Sequence, residues 1–210
     1  MAEKTAKKHK LSGMERRQQI ISAATEVFSR HGFQGTTLRQ LAQKAGVSEA
    51  MIYHHFSSKE ELYDAILEKK IEERKHLFFP ADAIRAKEDI TVLTTIVGNF
   101  LRQQSLDSSF MRMLLFSALE GHELGRKFVH GPLQEFFDFL GDYLEERSED
   151  GALKPVSGQV RARLLVGMVF YFSLLREIFN DPKSQSVDLD DLTNITVDLF
   201  YNGIKSASSA

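Results

Sequence analysis

Cysteine is absent from the 210-residue chain. That one absence removes disulfides, thiolate nucleophiles, iron–sulfur clusters and cysteine-ligated zinc. Tryptophan is absent too. Strand signals are nearly missing, because apolar residues recur at helical spacing almost everywhere. The most apolar stretch, Leu164 to Leu175, is bounded by Arg163 and Arg176. It falls short of the roughly 20 residues that a bilayer span needs. The N-terminus is lysine-rich and polar, without the apolar segment of a secretory signal. We therefore expect an all-α, cytoplasmic protein with no membrane partner.

What is present is ordinary in bulk. Hydrophobic residues make up 42% and charged residues 27%, the balance of a soluble globular protein with a substantial core. The net charge of −2 conceals an asymmetry: residues 1–60 carry +5 and the remainder −7. A basic head on an acidic body suggests that the head meets an anion. Chance surface variation would produce the same totals, so charge alone decides nothing.

Helix starts are well marked. Ser12-Gly13-Met14-Glu15, Thr37-Leu38-Arg39-Gln40 and Ser57-Ser58-Lys59-Glu60 fit the capping box, in which the N3 residue answers the N-cap. A first helix is expected over 13–31, with Ile20, Ala24, Val27 and Phe28 on one face and Gly32 past its end. A second is expected over 38–45, stopped by Gly46, and a third after Ser48 to near Phe56. A fourth should run from Ser58 to about Phe79, before Pro80. Leu38, Leu41, Ala42, Ala45, Val47, Ile52 and Phe56 can meet Val27 and Phe28, which makes residues 12–57 a helix-turn-helix packed as a three-helix unit. Further helices are expected over 88–104, 108–120, 130–148, 157–180 and 189–205. Ser206 to Ala210 reads as a small-residue tail, and Lys4, Lys7, Lys8 and Lys10 as a basic arm within 1–11.

One stretch concentrates the chemistry: "AGVSEAMIYHHF", Ala45 to Phe56. His54 and His55 fail as a metal pair, since adjacent helical residues project about 100° apart and no partner stands at i, i+4. His122-Glu123 begins like His-Glu-x-x-His, but Arg126 stands where the second histidine belongs. No nucleophile–base pair is visible, so no enzyme and no cofactor are expected. A recognition helix in the major groove presents its first residues to base edges. These are Glu49, Ala50 and Met51, with their N-cap Ser48 counted among the DNA-facing residues. Glu49 could accept from a cytosine amino group, or it could simply face solvent. Ala50 and Met51 could touch thymine methyls. Tyr53, His54 and His55 stand at the outer end, where a hydroxyl and imidazole N–H groups could donate to phosphate, and the Tyr53 ring should also pack on the small core. Lys59 lies in the first turn of the fourth helix, a poor place for a cation beside the helix dipole. A nearby phosphate would account for it.

The stretch "TTLRQLAQKAGVSEAMIYHHFSSKEELYDAIL", Thr36 to Leu67, resembles the DNA-binding domain of the tetracycline-repressor (TetR) family of bacterial transcription regulators. The threonine before the second helix, Leu-Ala, Ala-Gly-Val-Ser, Tyr-x-His-Phe and Ser-Lys-Glu-Glu-Leu all hold that spacing, and with the first helix the likeness covers residues 15–67. The resemblance implies that Thr37 and Arg39 contact the DNA backbone. It implies a larger C-terminal helical domain, residues 58–210 joined through the helix at 58–79, that binds a small molecule and forms a homodimer through its last two long helices. The residues agree: "LLVGMVFYFSLL" is apolar nearly all round, so it must be buried on more than one side. Leu164, Gly167, Met168, Phe170 and Tyr171, with Leu192, Ile195, Leu199 and Phe200, are the expected interface.

Sixteen phenylalanines, most of them after residue 77, suit either a plain aromatic core or an apolar pocket. Phe78, Phe100, Phe116 and Phe136 are the candidate lining, with Asn99, Arg112, His122, Tyr143 and Tyr171 as candidate polar groups. The expectation is a dimeric regulator, most simply a repressor on a palindromic double-stranded operator, released by a hydrophobic small-molecule effector; an activator of the same fold is the alternative. A non-specific architectural protein would need a basic surface throughout, which the acidic body contradicts.

Overall fold

The computed structural model describes residues 11–74 and 77–205. The lysine arm, the tail at 206–210 and two residues crossed by the expected 58–79 helix lie outside them. Among the described residues there are twelve helices and no strand. They are α1 (Gly13–His31), α2 (Leu38–Ala45), α3 (Glu49–His55), α4 (Lys59–Arg74), α5 (Ala81–Arg85), α6 (Asp89–Leu106), α7 (Ser109–Glu120), α8 (Glu123–His130), α9 (Pro132–Glu149), α10 (Gly158–Ser173), α11 (Pro182–Gln185) and α12 (Leu189–Ile204).

The capping signals act locally, which is why they were readable. Ser12 and Thr37 form complete boxes with Glu15 and Gln40, and Ser48 accepts from Met51 N–H. The third box is shifted. Ser58, not Ser57, accepts from the N–H of Glu61, and the Glu61 carboxylate turns back to the Ser57 N–H and hydroxyl.

Departures from expectation have local causes. The helix expected over 130–148 is α9, which starts two residues later because Pro132 lacks an N–H and opens it at its first position, with Gly131 as its N-cap. The helix expected over 157–180 is α-helical only to Ser173 and then widens into a π-turn, Leu174–Ile178. Three short helices were missed: α5 has no side-chain cap, α8 is capped by the ring nitrogen of His122, and α11 is one turn opened by Pro182 and capped by Asp181.

Two cores form. The first joins Ile20, Ala24, Val27 and Phe28 of α1 to Leu41, Ala42, Ala45, Ile52 and Phe56, as the pattern required. It continues without a break into Leu62, Tyr63 and Ile66 of α4, Phe110 and Met113 of α7, and Leu124 of α8. The head is therefore seated on α4 and α7 by ordinary apolar burial. The second core lies among α6, α9, α10 and α12. At its edge buried Asp89 accepts from the Tyr143 hydroxyl at 2.6 Å and from Arg147 Nε at 2.8 Å, so that charge is paired. Arg161 of α10 is also buried, and it donates to Leu144 O, Lys154 O and the Ser148 hydroxyl.

Candidate nucleic-acid interface

The α2–turn–α3 unit is built from its own sequence. Gly46 turns the chain in the left-handed region at φ 64°, and Ser48 then starts α3. Ile52 and Phe56 anchor α3 inward, each 1% exposed. The opposite side of α3 is therefore forced outward: Glu49, Ala50, Met51, Tyr53 and His54 are all exposed, as are Thr37, Arg39 and Ser48 beside them. The expectation that the Tyr53 ring packs on the core is corrected, because the residue is 53% exposed and projects from the helix. His55 is half-buried. Its pKa is lowered, first by burial, then by the nearby charges of His54, Arg17 and Arg16.

Lys59 has an internal explanation that differs from the expected one. Its Nζ donates to Phe33 O at 2.8 Å and to Thr36 O at 3.0 Å, and sits 4.1 Å from the centre of the Phe33 ring. The cation closes the loop between α1 and α2, so a phosphate is not needed to account for its place. Thr37 likewise uses its hydroxyl on Gln40.

Sequence reasoning passed over three head residues. Arg16 and Arg17 lie in the first turns of α1, beside the end of α3. Arg17 stacks on the Phe56 ring at 4.8 Å, and Arg16 donates to Gln19 Oε1 at 2.8 Å. Gln19 Nε2 in turn donates to Ala45 O, tying α1 to the turn before α3. The signal was available: two arginines at a helix start oppose the helix dipole, the same argument applied to Lys59.

The candidate ligand residues do not converge. Phe78 and Phe136 meet edge to face at 6.0 Å, and Phe79, Phe137 and Phe139 extend the cluster. Phe100 packs against the second core, and Asn99 donates to Leu77 O at 2.7 Å. Phe116 and His122 lie instead at the seam below the head, the His122 ring tilted against Phe33 at 4.2 Å and capping α8 through its ring nitrogen. Tyr143 is committed to Asp89, and Arg112 donates to Glu177 O in the π-turn at 2.6 Å. Tyr171 is 62% exposed on the outer face of α10. Tyr143 and Arg112 thus have partners of their own and Tyr171 faces outward, so the structure does not bring these three together. A cleft of about 430 Å³ lies at the seam, lined by Phe33, Glu60, Asp64, Glu120, His122 and Lys127 among others.

The expected interface is corrected at two positions. Leu192 and Phe200 are buried in the second core, 9% and 7% exposed. Leu164, Met168, Phe170 and Tyr171 of α10 and Ile195 and Leu199 of α12 do face outward, with Gly167 open beside them. Val160, Leu164, Met168 and Tyr171 recur at helical spacing and form one apolar stripe.

A sequence profile of bacterial regulatory proteins of the tetR family matches residues 20–66. The HTH-type transcriptional regulatory protein RaaS of Mycobacterium tuberculosis is 34% identical over 150 residues, covering 70% of this chain and 64% of that protein. The chain thus spans just under two thirds of that relative. The Bacillus subtilis regulator FadR, solved with stearoyl-CoA, superposes with a TM-score of 0.68 at 22% identity over 89% of this chain and 98% of its own. AibR, solved with isovaleryl coenzyme A and operator DNA, gives 0.69 at 18% identity over 89% and 98%. At these identities the two structures establish a shared fold.

Proposed function

The chain belongs to the TetR family of bacterial regulatory proteins, and on that premise we propose that it acts as a cytoplasmic homodimer that represses transcription from a palindromic operator. The observation that carries this reading is the exposed face of α3 with its flanks. A seven-residue helix spans about 9 Å from Glu49 to His55 at 1.5 Å per residue. That reach lets one end address base edges while the other meets the bordering backbone of a groove ~12 Å wide. Glu49, Ala50 and Met51 are assigned to bases, and Thr37, Arg39, Tyr53, His54 and His55 to phosphates. The reading gives the protein no catalytic role.

The outward stripe of α10 and α12 is assigned to the second copy, which would space two recognition helices about one DNA turn apart, ~34–36 Å. The effector is assigned to the class of apolar acyl compounds. Support comes from the phenylalanine cluster and from the coenzyme A thioesters that accompany the two similar structures. The rings of that cluster pack against one another, so entry requires them to separate. An effector held there would favour the separated arrangement, and DNA would weaken effector binding by the factor by which effector weakens DNA binding.

Selection of genomic fragments by the purified protein at two salt concentrations, followed by sequencing, tests the regulator. An inverted repeat enriched at both salts is expected. Recovery of all sequences alike, vanishing at the higher salt, would leave phosphate binding only and remove the base contacts. For the effector, acyl-CoAs of increasing chain length should raise the melting temperature and release the operator. A purely hydrophilic molecule doing so would overturn the assignment.

A further inference from the structure

The start of α1 and the end of α3 bring four basic side chains together. Arg17 lies over Phe56 at 4.8 Å. The His54 and His55 rings are 5.1 Å apart. Arg16 and Arg17 stand close enough to His55 to repel its proton. The carboxylates near them are held by neutral donors and do not reach the arginines. Glu15 accepts from the Ser12 N–H. Glu61, on α4 and within the field of Arg17, accepts from the Ser57 N–H and hydroxyl, both at 2.6 Å. Among the described residues neither arginine forms an ion pair. Like charges gathered with only the distant field of Glu61 to offset them, and no contact ion pair, raise the free energy of the free protein, and an anion arriving between them lowers it.

The group is also held in register with α3. The Gln19 bond to Ala45 O at 2.9 Å fixes the first turns of α1 against the turn that starts α3. The arginines therefore keep a constant offset from the base-facing end of the recognition helix, which a backbone contact that sets register requires.

Building on the operator-binding reading, we propose that Arg16, Arg17 and His54 join His55 in a phosphate clamp for one strand of duplex DNA, and that the clamp makes DNA affinity pH-dependent. The sign follows from the charges. In the free protein, burial, His54, Arg17 and Arg16 all disfavour the His55 cation. A phosphate between these groups reverses the local field and favours it. DNA binding then takes up protons, so affinity is highest at low pH and falls as pH rises through the bound-state value.

The test is fluorescence anisotropy with a labelled, mixed-sequence duplex of about three helical turns, since a backbone clamp does not depend on sequence. The unaltered full chain should bind about three- to tenfold tighter at about pH 6 than at about pH 8. The R16Q/R17Q variant should show a salt slope shallower by about 1 to 2 and a weaker pH response. R16K/R17K should retain the steep slope, and H55N should lose most of the pH response. If the Gln and Lys variants lose affinity alike, the arginines act through packing and the clamp is overturned. An R16Q/R17Q protein with unchanged salt and pH dependence overturns it as well, while operator binding stands. Absence of duplex binding by the unaltered protein at low salt would overturn the DNA reading itself and the clamp with it.

Discussion

Glu120 shows how one side chain can join two parts of a molecule. It ends α7, and its carboxylate accepts the backbone N–H of Phe33 at 3.0 Å and of Gln34 at 3.3 Å, in the loop between α1 and α2. A charged acceptor with two N–H donors is among the stronger hydrogen-bond arrangements. Gly32 makes room for it: a Cβ there would stand 2.1 Å from the carboxylate oxygen, on a backbone already at φ 69°. Replacing Glu120 with Ala should cost about 1–3 kcal/mol, read as a lower urea midpoint with unchanged m-value. No shift in midpoint would mean that water replaces the carboxylate without loss. A second residue-scale prediction concerns acid. Burial works against the Asp107 charge, but hydrogen bonds from Lys70 and Ser109 outweigh it and hold the carboxyl at about 2, below the ordinary 3.8. A depressed carboxylate stabilises the fold above its unfolded-state value and stops doing so as pH falls through its folded value. The melting temperature of D107N should therefore decline less than that of the parent between about pH 4 and about pH 2. Parallel curves would show that the pair with Lys70 adds nothing. Neither role was legible in the sequence. Glu120 and Phe33 are far apart along the chain, and a lone acid at a helix end carries no mark of its partner.

At the scale of elements, legibility followed range. The caps of α1, α2 and α3 were readable because each bond spans three residues and uses side chains with few alternatives. The recognition unit was readable for the same reason: Ile52 and Phe56 are one helical turn apart, and Gly46 marks the turn before them. The π-turn after Ser173 was not readable, because its stability comes from elsewhere. Arg112 of α7 donates to the Glu177 carbonyl at 2.6 Å, and Arg176 donates to Ser184 O and Val187 O, both at 2.8 Å. A π-turn leaves carbonyls without their usual helical donors; Arg112 supplies a replacement for Glu177 O, while Arg176, itself in the turn, ties the turn to the segment at Ser184 and Val187. Arg112, a candidate pocket residue by sequence, thus has a partner in the turn. R112M should keep the apolar stem and lose the donor, costing about 1–3 kcal/mol. It should also speed amide exchange in 174–178 more than in α6. Uniform acceleration across the chain would mean only global destabilisation.

For the whole molecule, the decisive fact is a mismatch between burial and composition. The helix from Gly158 to Ile178 is long and apolar enough to cross a membrane by length and composition, with mean hydropathy 1.2, yet only 33% of that window is buried. Two environments could receive its outward side: a bilayer or a second protein surface. Arg163 lies exposed among the apolar residues, and Arg161 is buried in the same helix. These arginines stand in the first two turns, and with Arg176 they leave an uncharged run of only Leu164–Leu175, short of the roughly 20 residues a bilayer span needs, whereas a charge is readily placed at the rim of an interface between proteins. The stripe is also continuous across two helices, because Ile195 and Leu199 of α12, at 55% and 62% exposed, extend that of Leu164 and Tyr171. A self-complementary patch on a pair of long helices suits two-fold pairing. The double variant L164E/L199E places like charges on both copies and leaves the monomer core untouched, because neither side chain contributes to it. We expect a monomer by sedimentation with an unchanged helical spectrum. Affinity for the inverted repeat should fall by a factor of about 100 or more, since each half-site is then held alone without the effective concentration its partner supplied. Should the variant stay dimeric, the stripe is not the interface. Should it become monomeric yet bind the repeat as before, the operator is read by one copy at a time and the two-fold account of the site fails.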